Sequence, residues 1–275
     1  MSLDWVGLGI LAAFVVLLLV FATLGRTLPA TFRPLPSFEK LEAAIERAVE
    51  AGERVHVSLG TGSVIGPESA PAMAGLTVLS KVAAATVMSD KPVIATSADG
   101  AMAILAQDTL RTAHVRARAV DRYEPTSGRM LGATPYSYAA GLPAVLATEG
   151  VSVHVLNGSF GAEGALAADF GERRKAFVVG GSDDVHAQAL LHATADHPLV
   201  GEEVFAGGAY LKAGIFHDAS LRAQDVVRVL VANLDHRAEL LVEQHGEVVA
   251  LEVVEPHRDA AAARECHLAQ RREQP

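Results

Sequence analysis

The hydrophobic pattern begins with an uninterrupted apolar run. Residues 5–24 read WVGLGILAAFVVLLLVFATL and carry no charge. Twenty helical residues rise about 30 Å, the hydrocarbon thickness of a bilayer. This predicts one transmembrane anchor within residues 1–25. A signal peptide fits poorly, because Met1-Ser2-Leu3-Asp4 has no basic residue and the apolar stretch is too long. Residues 26–37 follow as a Pro-rich stalk, with Pro29, Pro34 and Pro36. Ser37 then opens a helix running to about Ala51. Phe38, Leu41, Ile45, Ala48 and Val49 fall near one face, and Gly52 ends it.

From Val55 a short apolar run is repeatedly followed by small polar residues and an Ala-rich helical stretch. The predicted strands are Val55–Leu59, Pro92–Thr96, Arg129–Ala133, Ser152–Leu156 and Ala176–Val179, with a sixth run at Pro198–Val200. The intervening helices are predicted near 70–89, 100–119, 137–149, 162–174 and 185–195. The strands read as near-continuous apolar runs, as expected when helices cover both faces of a parallel sheet. Right-handed βαβ units and a three-layer, mostly parallel, Rossmann-like α/β sheet over residues 38–238 are the expectation. The segment Gly201–Leu211, with Gly207-Gly208 between Phe205 and Tyr210, reads as an internal turn or part of a subunit interface.

Residues 218–244 fit one long amphipathic helix. A second reading breaks the helix at Asn233 and pairs 239–244 with 247–254 as a hairpin turning at His245-Gly246. Residues 239–256 are thus either a hairpin or a helix extension, the hairpin being preferred. Residues 257–275 form a polar tail.

Composition sharpens the membrane reading. Half of the residues are hydrophobic and the mean hydropathy is +0.27. Without residues 5–24 the hydrophobic share falls to roughly 47%, the globular range. Arg26, Arg33 and Lys40 follow the run and no base precedes it. The positive-inside rule therefore puts the N-terminus outside and the C-terminal body in the cytoplasm, with the anchor in the inner membrane. The single cysteine, Cys266, suits a reducing compartment. A net charge of −9 argues against nucleic acid as a partner and against flat docking on anionic lipid.

Ligands of an open parallel sheet bind beyond the carboxyl ends of the strands. The predicted strand ends there carry Gly60-Thr61-Gly62-Ser63, Asp99, Asn157, Asp183 and Glu202, which form the candidate ligand rim. Glycines admit a phosphate close to backbone N–H groups at a helix N-terminus. The pattern here is GxGxxxG, not the dinucleotide GxGxxG, and Asp99 comes too late to be the ribose-binding acid. No cofactor is indicated. The pairs Asp183-Asp184 and Glu202-Glu203 supply carboxylates, but no metal set is expected, and His186, His192 and His197 do not share a helical face. No GxSxG elbow occurs.

Several segments, among them RPLPSFEKLEAAIERAVEAGERVHVSLGTGSVIG, TPYSYAAGLPAVLA, NGSFGAEGALAADFGERR and ADHPLVGEEVFAGGAYL, resemble an uncharacterised bacterial family of membrane-anchored proteins carrying a domain of unknown function. The similarity covers about residues 30–228. It implies a membrane-associated bacterial protein and no particular activity. Members of that family often carry a further span after the ASLRAQD segment. Here Val226–Leu234 is too short and is followed by Asp235, His236 and Arg237.

Two functions are expected from these features. The first is a single-pass, cytoplasm-facing binding, scaffold or assembly protein, self-associated or within a membrane complex. The second is an enzyme or sensor taking a phosphate-bearing or polar ligand at the rim.

Overall fold

The computed structural model describes residues 5–24 and 32–245. The chain divides into a compact unit over Met1–Asp225 and a second over Val226–Pro275. The first unit opens with α1 (Trp5–Leu24) and α2 (Pro36–Ala51). Then follow β1 (Arg54–Gly60), α3 (Ser69–Thr86), β2 (Ile94–Ser97), α4 (Gly100–Arg116), β3 (Gly128–Met130), α5 (Pro135–Thr148), β4 (Val151–Ser159) and α6 (Glu163–Arg173). It closes with β5 (Phe177–Gly181), α7 (Val185–Thr194), β6 (His197–Leu199) and α8 (Glu203–Tyr210). Helix α9 (Ile215–His245) starts in the first unit and supplies the described part of the second.

Six parallel strands lie in the order β3-β2-β1-β4-β5-β6. This is the Rossmann order, and it reverses between β1 and β4. Helices cover both faces. Phe38, Leu41, Leu79, Val82, Met102, Leu110 and Val204, from α2, α3, α4 and α8, bury Val55, Val57 and Leu59 of β1 on one side. Tyr138, Leu142, Ala167, Ala168 and Leu191, from α5, α6 and α7, bury Leu156 and Val178 on the other. The expected three-layer α/β sheet is observed.

Helix ends follow local chemistry. Asp99 caps α4 by accepting from the Met102 amide at 2.9 Å, and Asp184 caps α7 through the Ala187 amide at 2.7 Å. Thr134 and Ser137 form a capping box at α5.

Four expectations need correction. The third strand covers Gly128–Met130, not Arg129–Ala133: the Leu131 amide still donates to the Ser97 carbonyl of β2 at 3.0 Å, and the chain then bends at 133–134 into the α5 cap. The strands are not purely apolar: His56, Ser58 and His154 are fully buried within β1 and β4. Gly201–Leu211 is not a turn but mostly α8, whose Gly207 lies against Val78 and Phe38. The break at Asn233 is absent, since α9 continues as helix through the proposed first hairpin strand to His245. The second strand of that hairpin and the 257–275 tail lie outside the described residues.

Helix α1 forms over the predicted apolar run and contains no charged residue. Among the described residues no helix is long and apolar enough to cross a membrane.

Candidate functional site

The strand order reverses at the carboxyl ends of β1 and β4, and sequence reasoning placed its candidates there. The structure brings Gly60, Thr61, Gly62 and Ser63 beside the end of β4. A register shift separates the Ser58–Leu156 pair from the Gly60–Ser159 pair, so β4 carries one extra residue at this point. The Thr61 amide donates to the Ser159 carbonyl at 2.9 Å. The Ala98 amide, from the loop after β2, donates to the Gly60 carbonyl at 2.9 Å. Gly62 is buried, with Ser159, Ala72 and the Glu68 carbonyl around its Cα. Ser63 is half-buried in the same loop.

Glu163, buried at the start of α6, completes this closure. Its Oε1 accepts from the Gly161 amide at 2.8 Å and from the Thr61 hydroxyl at 3.5 Å. A carboxylate at a helix N-terminus complements the free amides and the dipole there. The two loops therefore satisfy one another. Of the glycines of GxGxxxG, Gly60 and Gly62 lie against Ser159 at the end of β4, whereas Gly66, at φ +110°, lies beside the Glu68 carboxylate.

The other candidates do not converge. Asp99 is spent as the α4 cap. Asp183 is exposed and accepts from the Ser182 hydroxyl at 3.4 Å. Glu202 is exposed ahead of α8. Its neighbour Glu203 pairs with Arg33 at 2.9 Å and accepts from the Val200 amide at 3.2 Å. Asn157 is fully buried in β4, opposite Gly181 of β5, with neither amide atom hydrogen-bonded. Among the described residues no group of three or more His, Cys, Asp or Glu is gathered to hold a metal ion. The larger grooves open elsewhere. One of about 770 Å³ runs between α3 and α4 past Lys81, Asp108 and Arg116.

The structure adds a feature that was not anticipated. On the α5–α6 face of the sheet a polar string crosses the core. The His56 Nε2 lies 2.9 Å from the Thr96 hydroxyl. That hydroxyl lies 2.8 Å from the Tyr138 hydroxyl, which also bonds Ser58. The His154 ring meets the His56 ring edge-on at 4.8 Å, and both its nitrogens lack a partner. Burial lowers His154 to about 3. Burial, then the neighbouring His154 and Arg129, hold His56 well below its ordinary value. Burial pushes Tyr138 up to about 12 against its hydrogen bonds to Ser58 and Thr96. All three are therefore neutral at pH 7, none is poised near neutrality for proton transfer, and all are sealed from solvent. Part of the signal for this string was available in RVHVSLG, where Arg54, His56 and Ser58 alternate with apolar residues, and in Ser152 and His154 of β4.

These features define a doubly wound parallel α/β domain of Rossmann strand order whose switch point is closed by its own loops. The chain belongs to the family described as Domain of unknown function (DUF6754), whose model matches residues 3–249. No curated relative and no solved structure matches the chain.

Proposed function

We propose that this protein is a membrane-anchored α/β domain that acts by binding and assembling with other proteins. The observation that carries the reading is α1. It is a 20-residue helix without a charge, and its apolar side chains are exposed around it, including Trp5, Ile10, Leu11, Val16 and Leu19. Such a surface is unfavourable in water and favourable in hydrocarbon. Arg26, Arg33 and Lys40 on its C-terminal side favour a cytoplasmic body. The mutual satisfaction of the rim loops supports binding through surfaces over binding in a cleft. A homo-oligomer or a heteromeric membrane complex is the expected state.

The test is alkaline carbonate extraction of membranes carrying the full chain. The wild type should stay in the pellet, and a Leu11→Lys, Val16→Lys pair should move it to the supernatant. The detergent-solubilised chain should run larger than a monomer or with a stoichiometric partner. Release of the wild type by carbonate, or a monodisperse monomer without partner, overturns the reading.

A further inference from the structure

The βα end of the sheet differs from the rest of the surface in two independent ways. First, its loops carry acid without base. Residues 61–68, 98–99, 131–134, 160–162, 182–184 and 200–202 contain Glu68, Asp99, Asp183, Asp184 and Glu202 but no Lys or Arg. At the opposite end the αβ connections mix signs, with Lys91, Arg118, Arg122, Arg174 and Lys175 among their acids. Arg33 reaches the rim only at Glu203, to which it is paired at 2.9 Å.

Second, the same end shows a large apolar side chain to water at four of its six corners. Ile65 after β1 is 86% exposed and Val185 after β5 is 73% exposed. Tyr136, with Met130 at the end of β3, and Val200 after β6 are exposed as well. Six strands at about 4.8 Å spacing make this end roughly 25 Å across. A turn needs none of these apolar residues. Their recurrence on separate loops at one end is the arrangement of an interaction surface, with apolar anchors among charged neighbours.

We infer that the βα rim is a docking face for a basic, aliphatic-bearing protein segment. Charge complementarity selects this occupant: the loops carry five acids, and Arg33, the base beside them, is already paired with Glu203, so the face attracts Lys and Arg. The same charge disfavours an anionic lipid surface. The inference deepens the binding role proposed above and rests on it for its setting. Cytoplasmic segments that flank membrane helices are rich in Lys and Arg, so an anchored acidic rim meets suitable partners.

The test uses the full chain in phosphatidylcholine nanodiscs, with empty nanodiscs as blank. Three labelled peptides are titrated by fluorescence anisotropy, built from Lys and Leu, from Lys and Ser, and from Glu and Leu. The Lys/Leu peptide should bind about tenfold tighter than either of the others. Ile65→Ser combined with Val185→Ser should weaken it about tenfold with unchanged melting. Val115→Ser, an exposed residue at the far end of α4, should change nothing. Equal binding of the Lys/Ser peptide, or an indifferent rim variant, overturns the docking face. So does tighter binding to phosphatidylserine vesicles than to the Lys/Leu peptide. The two readings fail separately: carbonate release removes the anchor while the titration still reports on the rim, and an anchored chain with an indifferent rim removes only the docking face.

Discussion

Gly60 and Ser159 face each other where the strand order reverses, and no side chain fits between them. A Cβ on Gly60 would lie 2.1 Å from the Ser159 carbonyl oxygen, and Gly60 has φ +75°. Gly52, at the end of α2, has φ +66° with nothing within 4 Å of such a Cβ. Gly52→Ala should therefore cost about 1 kcal/mol, the left-handed penalty alone. Gly60→Ala should cost roughly 3 kcal/mol or more, since backbone must also move. Urea denaturation of the two variants separates conformation from contact.

Tyr138→Phe tests the polar string. Removing the hydroxyl leaves Thr96 and Ser58 short of a partner in a sealed core. The expected loss is about 1–3 kcal/mol. Leu142→Ile, a volume-conserving change on the same helix, should cost less, about 1 kcal/mol.

Acid should destabilise the protein through its buried histidines. His154 titrates near 6.5 when unfolded and near 3 when folded, and His56 is lowered in the same direction. Between those values the unfolded chain binds the proton and the native chain does not, so stability falls as pH drops. Above about 6.5 the full stability is present. Below it the loss approaches about 1.4 kcal/mol per pH unit for each histidine. Denaturation midpoints measured from pH 7 to 4 should show this slope, and His154→Leu should reduce it by one histidine's share. A slope unaffected by that change would refute the assignment.

Glu149 ties three elements together. From the end of α5 its carboxylate meets Arg54 of β1 at 2.9 Å and Arg129 of β3 at 2.7 Å. All three side chains are under a third exposed, so the pairs are poorly screened. Glu149→Ala should cost about 2 kcal/mol by leaving two guanidinium groups uncompensated. Arg173→Ala, which breaks an exposed pair with Asp169, should leave the denaturation midpoint nearly unchanged.

Much of the fold was legible because it rests on periodicity. Runs such as VHVSL and HVLNG, separated by Ala-rich helices, carry the alternation of strand and helix locally. Element ends depended on tertiary contacts. β3 closes early because the chain bends at 133–134 into the Thr134–Ser137 capping box of α5. α8 forms despite Gly207-Gly208, because a glycine is what fits against Val78 and Phe38. The candidate site was legible as a place and not as a chemistry. Gly60 and Thr61 lie at the end of β1, whereas Asn157 lies buried within β4, which runs on to Ser159. That Glu163 reaches the Gly161 amide and the Thr61 hydroxyl, and that Asp99 and Asp184 serve as caps, follows from the folded distances. The string from His56 to Tyr138 was missed because its members lie up to 82 positions apart on helix and strand.

The pairing of β1 with β4 also sets a timetable for the nascent chain. β1 gains β2 as a neighbour early, but its other edge waits for residues 151–159. Until the ribosome has delivered that segment, the hydrogen-bonding edge beside Val55, Val57 and Leu59 is open to any extended chain nearby. Parallel pairing over such separations is slow. A polypeptide in this state is exposed to aggregation for the whole of that interval, so translation speed between residues 60 and 159 is a determinant of how much of it reaches the native sheet.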